Sequence, residues 1–131
     1  MLAAVERTGL ALRKTILALA FALLPMASAQ AEGLTLFMVE QPGCIYCARW
    51  EAEVGDAYDK TAEGQAAPLQ RIDLHDPLPD GVRFARKAVY TPTFVLVRAG
   101  QELERIEGYP GEGFFWGLLD VMLKNAGVTL Q

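Results

Sequence analysis

Two cysteines separated by two residues, Cys44 and Cys47, stand where an apolar run gives way to a helical stretch, and no other feature of this 131-residue sequence constrains the fold as tightly. Leu34-Thr35-Leu36-Phe37-Met38-Val39 is a short, almost continuous apolar run, the pattern of a strand buried on both faces of a sheet. Glu40-Gln41-Pro42-Gly43 breaks it, and from Cys44 to about Asp59 residues such as Ala48, Arg49, Trp50, Glu51 and Ala52 favour helix. Cys44 therefore opens a helix. Residues at i and i+3 share one helix face, so the pair falls within the Cα separation of roughly 4.4–6.8 Å that a disulfide allows. Free N–H groups and the dipole at the amino end of a helix stabilise a thiolate, taking a cysteine pKa from about 8.5 toward roughly 3.5–7.5. Cys44, next to Gly43 with no side chain to shield it, is the expected nucleophile. Cys47, one turn deeper, is the expected resolver of a mixed disulfide.

These are the only cysteines. A structural bridge stabilises by closing a long loop, and a two-residue loop gives little of that restraint, so the spacing favours chemistry over stapling. Zinc or copper binding is the competing use of such a pair. A closed zinc site wants four ligands, and the chain adds only His75, which follows a strand and reads as a surface-loop histidine.

The rest of the chain supplies one domain. Thr61 to Pro68 reads as a loop, Leu69-Gln70-Arg71-Ile72-Asp73-Leu74 as a strand, and Asp80 to Ala88 as a short helix that ends before Thr91-Pro92. Thr93-Phe94-Val95-Leu96-Val97 and Glu102 to Glu107, joined through Ala99-Gly100, form a hairpin in which Leu103 and Ile106 carry apolar positions. Gly113 to Ala126 is a closing helix. The expected fold class is α/β, a mixed four-stranded sheet flanked by helices in the order β-α-β-α-β-β-α.

Arg7, Arg13 and Lys14 precede the apolar stretch Thr15 to Leu24, which is too short to span a bilayer, and Ala27-Ser28-Ala29 offers a small-x-small cleavage site. Residues 1–29 are thus expected to be a signal peptide and 30–131 the exported domain, with an uncleaved signal anchor as the alternative. The full chain carries 12 Lys+Arg and 16 Asp+Glu; taking away Arg7, Arg13, Lys14 and Glu6 leaves 9 against 15. That acidic balance argues against nucleic acid as a partner.

The arrangement of a strand, Pro42-Gly43-Cys44-Ile45-Tyr46-Cys47 at a helix start, and Thr91-Pro92 immediately before a later strand resembles the thioredoxin superfamily along nearly the whole exported domain. The resemblance implies a thioredoxin-like fold, a cis peptide before Pro92 and a substrate segment pairing beside the disulfide along Thr91 and Pro92. Gly43 to Glu51, Thr91 to Val97 and Ile106 to Gly111 running into Phe114-Phe115-Trp116 are similar to the small periplasmic thioredoxin-like proteins of sulfur-oxidation systems, the SoxS/SoxW type. This implies a periplasmic, monomeric reductase without a cofactor. It would act on a disulfide-containing protein such as the sulfur carrier of thiosulfate oxidation and be re-reduced by a membrane electron donor.

Departures from thioredoxin proper are as informative. Gly43 replaces the tryptophan before the first cysteine, Ile45-Tyr46 replaces Gly-Pro, and Met38 stands where thioredoxins carry a buried aspartate. Glu40 or water is then left to accept the proton of the resolving thiol, although Glu40 also reads as a solvated strand-end carboxylate. Tyr46 before the second cysteine is similar to glutaredoxins, which admits glutathione as a co-substrate. Tyr46 reads equally as a docking or a packing residue, whereas Trp50 and the group Phe114, Phe115 and Trp116 are expected to pack. Glu51, Glu53, Asp56 and Asp59 read as a solvated helix face, with a basic partner as the alternative. Two other uses of the pair stay open at this level: an oxidase or isomerase that donates or shuffles disulfides, and a binding module whose cysteines are structural or hold a metal.

Overall fold

The computed structural model describes residues 33–130; the proposed signal peptide lies outside the described residues. Strand β1 (Leu34–Glu40) is followed by helix α1 (Ile45–Trp50), which runs through a π-helical stretch (Glu51–Gly55) into α2 (Asp56–Tyr58). Helix α3 (Ala62–Ala66), strand β2 (Leu69–Asp73), the hairpin β3 (Thr93–Arg98) and β4 (Gln101–Glu107), and helix α4 (Glu112–Asn125) complete the order. The sheet runs β2-β1-β3-β4, with β1 parallel to β2 and antiparallel to β3, and β3 antiparallel to β4. Ala99 and Gly100, both at positive φ (52° and 75°), make the tight turn that twists with the flanking strands.

The near-continuous apolar run of β1 has the expected cause, since both faces of the sheet are covered. On one face Leu36, Met38, Phe94 and Leu96 pack against Trp50, Val54, Tyr58, Phe115, Leu119 and Leu123, all essentially inaccessible to solvent. On the other Phe37, Val95 and Val97 are closed over by Ile72, Val82 and Phe84.

Two expected elements differ. Thr61 to Pro68 is not all loop: Thr61 caps α3, its hydroxyl oxygen accepting from the Gly64 N–H at 3.0 Å and its O–H donating to the Tyr58 carbonyl at 2.7 Å. Capping competence outweighed the weak propensity of Gly64. Gly64 is needed there, because a Cβ would stand 1.9 Å from that same carbonyl oxygen. The helix expected from Asp80 to Ala88 is absent. Its place is taken by an extended segment in which Val82 and Phe84 face the sheet while Arg83 and Ala85 face outward, a period of two and not of 3.6.

Arg83 bridges Gln101 as a short strand would, its N–H donating to the Gly100 carbonyl at 2.6 Å and its carbonyl accepting from the Glu102 N–H at 3.1 Å. Arg105 pins the segment further, donating to the Arg86 carbonyl at 2.7 Å while paired with the equally buried Glu102 at 2.7 Å. Glu102 in turn accepts the Ala85 N–H at 2.6 Å, so both members of the pair bond the backbone of this segment.

Smaller corrections follow from geometry. Phe115 is fully buried and Trp116 stacks on Tyr58 at 5.9 Å, but Phe114 is 71% exposed. Three successive helix positions point about 100° apart and cannot share one face. On β4 Ile106 is buried and Leu103 exposed, since the two lie an odd number of residues apart on a strand.

Candidate functional site

The turn between β1 and α1 is built around Gly43, whose φ of +76° suits glycine. Cys44 is the N-cap of α1: its backbone is extended (φ −73°, ψ 106°), its N–H donates to the Gln41 carbonyl at 3.3 Å, and its sulfur accepts from the Cys47 N–H at 3.1 Å. A sulfur in that position receives one of the otherwise unpaired donors of the helix terminus, which stabilises a thiolate there in the reduced state. Cys44 and Cys47 are joined as a disulfide with their Cα atoms 5.2 Å apart. Cys44 is half-buried and Cys47 is buried, so solvent and partners reach the first sulfur more readily.

The Thr91–Pro92 peptide is cis. Its loop is fixed from three directions. Gln41, three residues before Cys44, donates its side-chain amide to the Thr91 hydroxyl at 3.0 Å. The Gly108 N–H donates to the Pro92 carbonyl at 2.7 Å, and the Thr93 hydroxyl donates to the Tyr90 carbonyl at 2.6 Å. Gln41 thus ties the cysteine turn to the proline turn, a role no reading of the sequence assigned it. Tyr46 is 57% exposed, which removes the packing alternative, and Ile45, Val89 and Tyr90 are exposed as well. Trp50 is fully buried, as expected.

A second connection was also not visible in sequence. Tyr109, next to Gly108, donates its hydroxyl to Glu53 at 2.5 Å, and Arg49 donates to the other oxygen of the same carboxylate at 2.9 Å. The Tyr109 hydroxyl first and Arg49 second hold the Glu53 carboxyl below the usual carboxylate range. Burial, and then the facing carboxylate, push the Tyr109 hydroxyl above its ordinary value, so it stays a donor throughout the physiological range. A depressed carboxyl contributes stability that is present above the unfolded-state pKa of about 4.3 and is lost as pH falls through the folded value. Tyr109→Phe is therefore expected to lower stability at neutral pH and to show a smaller further loss between about pH 6 and pH 3 than the unaltered protein. Urea midpoints at the two pH values measure this; an identical loss in both proteins refutes the linkage.

Glu40 is not merely a solvated strand end. A cleft of about 710 Å³ lies against the disulfide, its lining including Gly43, Cys44, Cys47 and Ala48 together with Glu40, Glu51, Arg71 and Asp73. Arg71 donates to Glu40 at 3.0 Å and also to Glu51. Of the acidic helix face, Glu51 and Glu53 are thus engaged in pairs. Met38, at the position of the missing aspartate, is fully buried in the apolar core. His75 lies on an exposed turn, its N–H donating to Asp73. Among the described residues no group of three or more His, Cys, Asp or Glu is arranged to hold a metal ion, and no helix is long and apolar enough to cross a membrane.

A family model described as a thioredoxin-like domain matches residues 23–122. The crystal structure of the periplasmic thioredoxin SoxS from Paracoccus pantotrophus, in its reduced form, is 54% identical, with a TM-score of 0.70, covering 71% of this chain and 98% of that one. Fasciola hepatica thioredoxin is 19% identical with a TM-score of 0.51, and the germline-specific thioredoxin Deadhead from Drosophila melanogaster is 20% identical with a TM-score of 0.53. Each of these two matches covers 70% of this chain and 82% of the other, and at that identity they speak for the fold alone. No curated protein matches the chain.

Proposed function

This chain belongs to the thioredoxin-like domain family and is a SoxS-like thiol–disulfide oxidoreductase, and from that premise we propose that it works in the periplasm as a reductase of a partner protein's disulfide. The observation that carries the reading is the placement of Cys44 as the half-buried N-cap of α1, with its sulfur facing the Cys47 N–H and Cys47 buried behind it. In the reduced protein the Cys44 thiolate attacks one sulfur of the partner disulfide. A Cys44–partner bond forms, and the partner's other sulfur leaves as a thiolate that takes a proton from solvent. Cys47, once deprotonated, attacks the Cys44 sulfur. The Cys44–Cys47 bond closes, the partner departs with both cysteines reduced, and two electrons have passed to it.

Tyr46, Thr91 and Pro92 are the proposed substrate contacts: an exposed aromatic ring beside the cysteines, and a turn whose backbone an extended partner segment can pair along. Localisation follows the periplasmic neighbour, with residues 1–29 as the export signal and 30–131 as the working domain. The partner we favour is the sulfur carrier of thiosulfate oxidation, whose exposed cysteine must be free of stray disulfides before it is loaded. Each turnover leaves this protein oxidised, and the re-reduction we propose comes from a membrane electron donor.

The equilibrium reduction potential of the Cys44–Cys47 pair, titrated against glutathione with alkylation as the readout, tests the direction. A value near about −270 mV supports the reductase, and one near about −120 mV overturns it in favour of a disulfide donor.

A further inference from the structure

The cleft beside the disulfide carries an unbalanced charge. Its charged walls come from three elements: Glu40 at the end of β1, Glu51 at the start of the π-helical stretch, and Arg71 and Asp73 on β2. Three carboxylates against one guanidinium leave two negative charges in excess. Arg71 is fully committed, donating one nitrogen to Glu40 at 3.0 Å and another to Glu51, with its guanidinium 5.5 Å above the Trp50 ring. It holds a strand-end carboxylate and a helix carboxylate together in the lining and neutralises only one of them. Behind the site Met38, the β1 partner of Arg71 in the parallel pair, is fully buried and carries no charge.

A carboxylate near a thiol opposes formation of the thiolate, and the reduced state of a dithiol includes its thiolate. Whatever destabilises the reduced state makes the couple harder to reduce and the dithiol a stronger reductant. The Cys47 N–H that Cys44 accepts and the Arg71 guanidinium in the cleft act the other way. We propose that Glu40 and Glu51, held in place by Arg71, set the reducing strength of the Cys44–Cys47 couple by keeping negative charge along the cleft wall. They are positioning residues that act through the field at the sulfurs. This rests on the dithiol reading above and assigns the source of its direction.

The test compares the whole protein with Glu40→Gln, Glu51→Gln and the double variant, reading the equilibrium constant against glutathione and the pH dependence of Cys44 alkylation. Each single variant is expected to be about 3- to 10-fold easier to reduce, with the alkylation inflection at lower pH and a larger shift in the double variant. The shifts should shrink in about 1 M salt, where the screening length falls to about 3 Å. Arg71→Gln should move the constant the opposite way, and Glu104→Gln on β4 should move nothing. If one variant fails to fold, the other decides. Equilibrium constants within twofold of the unaltered protein, in a couple that still cycles with glutathione, overturn the charge control and leave the dithiol reading intact; an unaltered protein that does not cycle at all refutes the dithiol reading itself.

Discussion

Cys44→Ser should reduce disulfide exchange to the uncatalysed rate, while Cys47→Ser should retain the first chemical step and accumulate the protein as a mixed disulfide with its partner. The asymmetry follows from access and from the helix terminus. Cys44 is half-buried and its sulfur accepts the Cys47 N–H, whereas Cys47 is buried one turn into α1. Serine at position 44 keeps the N-cap, since a hydroxyl accepts the same N–H, so loss of activity there cannot be ascribed to loss of the helix. Non-reducing gels of cell extracts would show the Cys47→Ser adduct as a higher band that collapses on adding a thiol, and the released partner identifies the substrate. Trapping by Cys44→Ser and not by Cys47→Ser would reverse the two roles.

Trp50→Ala is expected to be the most destabilising single change among the core residues, at about 3–5 kcal/mol. The indole is fully buried, with Tyr58, Phe94 and Phe115 ring centroids at 6.1, 5.4 and 5.7 Å, so truncation opens a void where the helical layer meets the sheet. For a domain of this size that corresponds to a thermal midpoint lower by well over 10 °C. Trp50→Phe should cost much less, about 1–2 kcal/mol, because the ring packing is largely kept and the buried Nε1, which has no hydrogen-bond partner among the described residues, is removed. Thermal unfolding of the two variants separates packing from docking: equal, small losses would mean that the indole is not a keystone of this core.

Trp50 also shows how the sequence was legible. Its burial was expected because a large aromatic residue in a helix next to the sheet usually packs. Phe114 failed the same logic because composition says that an aromatic cluster packs, while helix geometry lets only part of three consecutive residues do so. The segment from Asp80 to Ala88 failed for a different reason. A capping aspartate and an alanine at the end suggested a helix, yet Val82 and Phe84 alternate with Arg83 and Ala85, and the ion pair that holds this segment joins Arg105 and Glu102 from another strand. Local propensity lost to a tertiary partner, and only the period-two alternation was there to be read.

The sequence by itself determined the redox chemistry and its scaffold. The i, i+3 spacing of Cys44 and Cys47 at a strand-to-helix turn, with Thr91-Pro92 ahead of an apolar strand, depends on chain order and short-range geometry alone. The tertiary structure decided what surrounds the sulfurs. Gln41 meets Thr91 fifty residues away, Glu53 meets Tyr109 fifty-six away, and Arg71 closes on Glu40 and Glu51 across thirty-one and twenty. Such pairs leave no periodicity or motif in the chain, because a charged or amide side chain looks the same in sequence whether it faces water or a partner. Burial and proximity assign it, and both exist only once the sheet and its helices have packed.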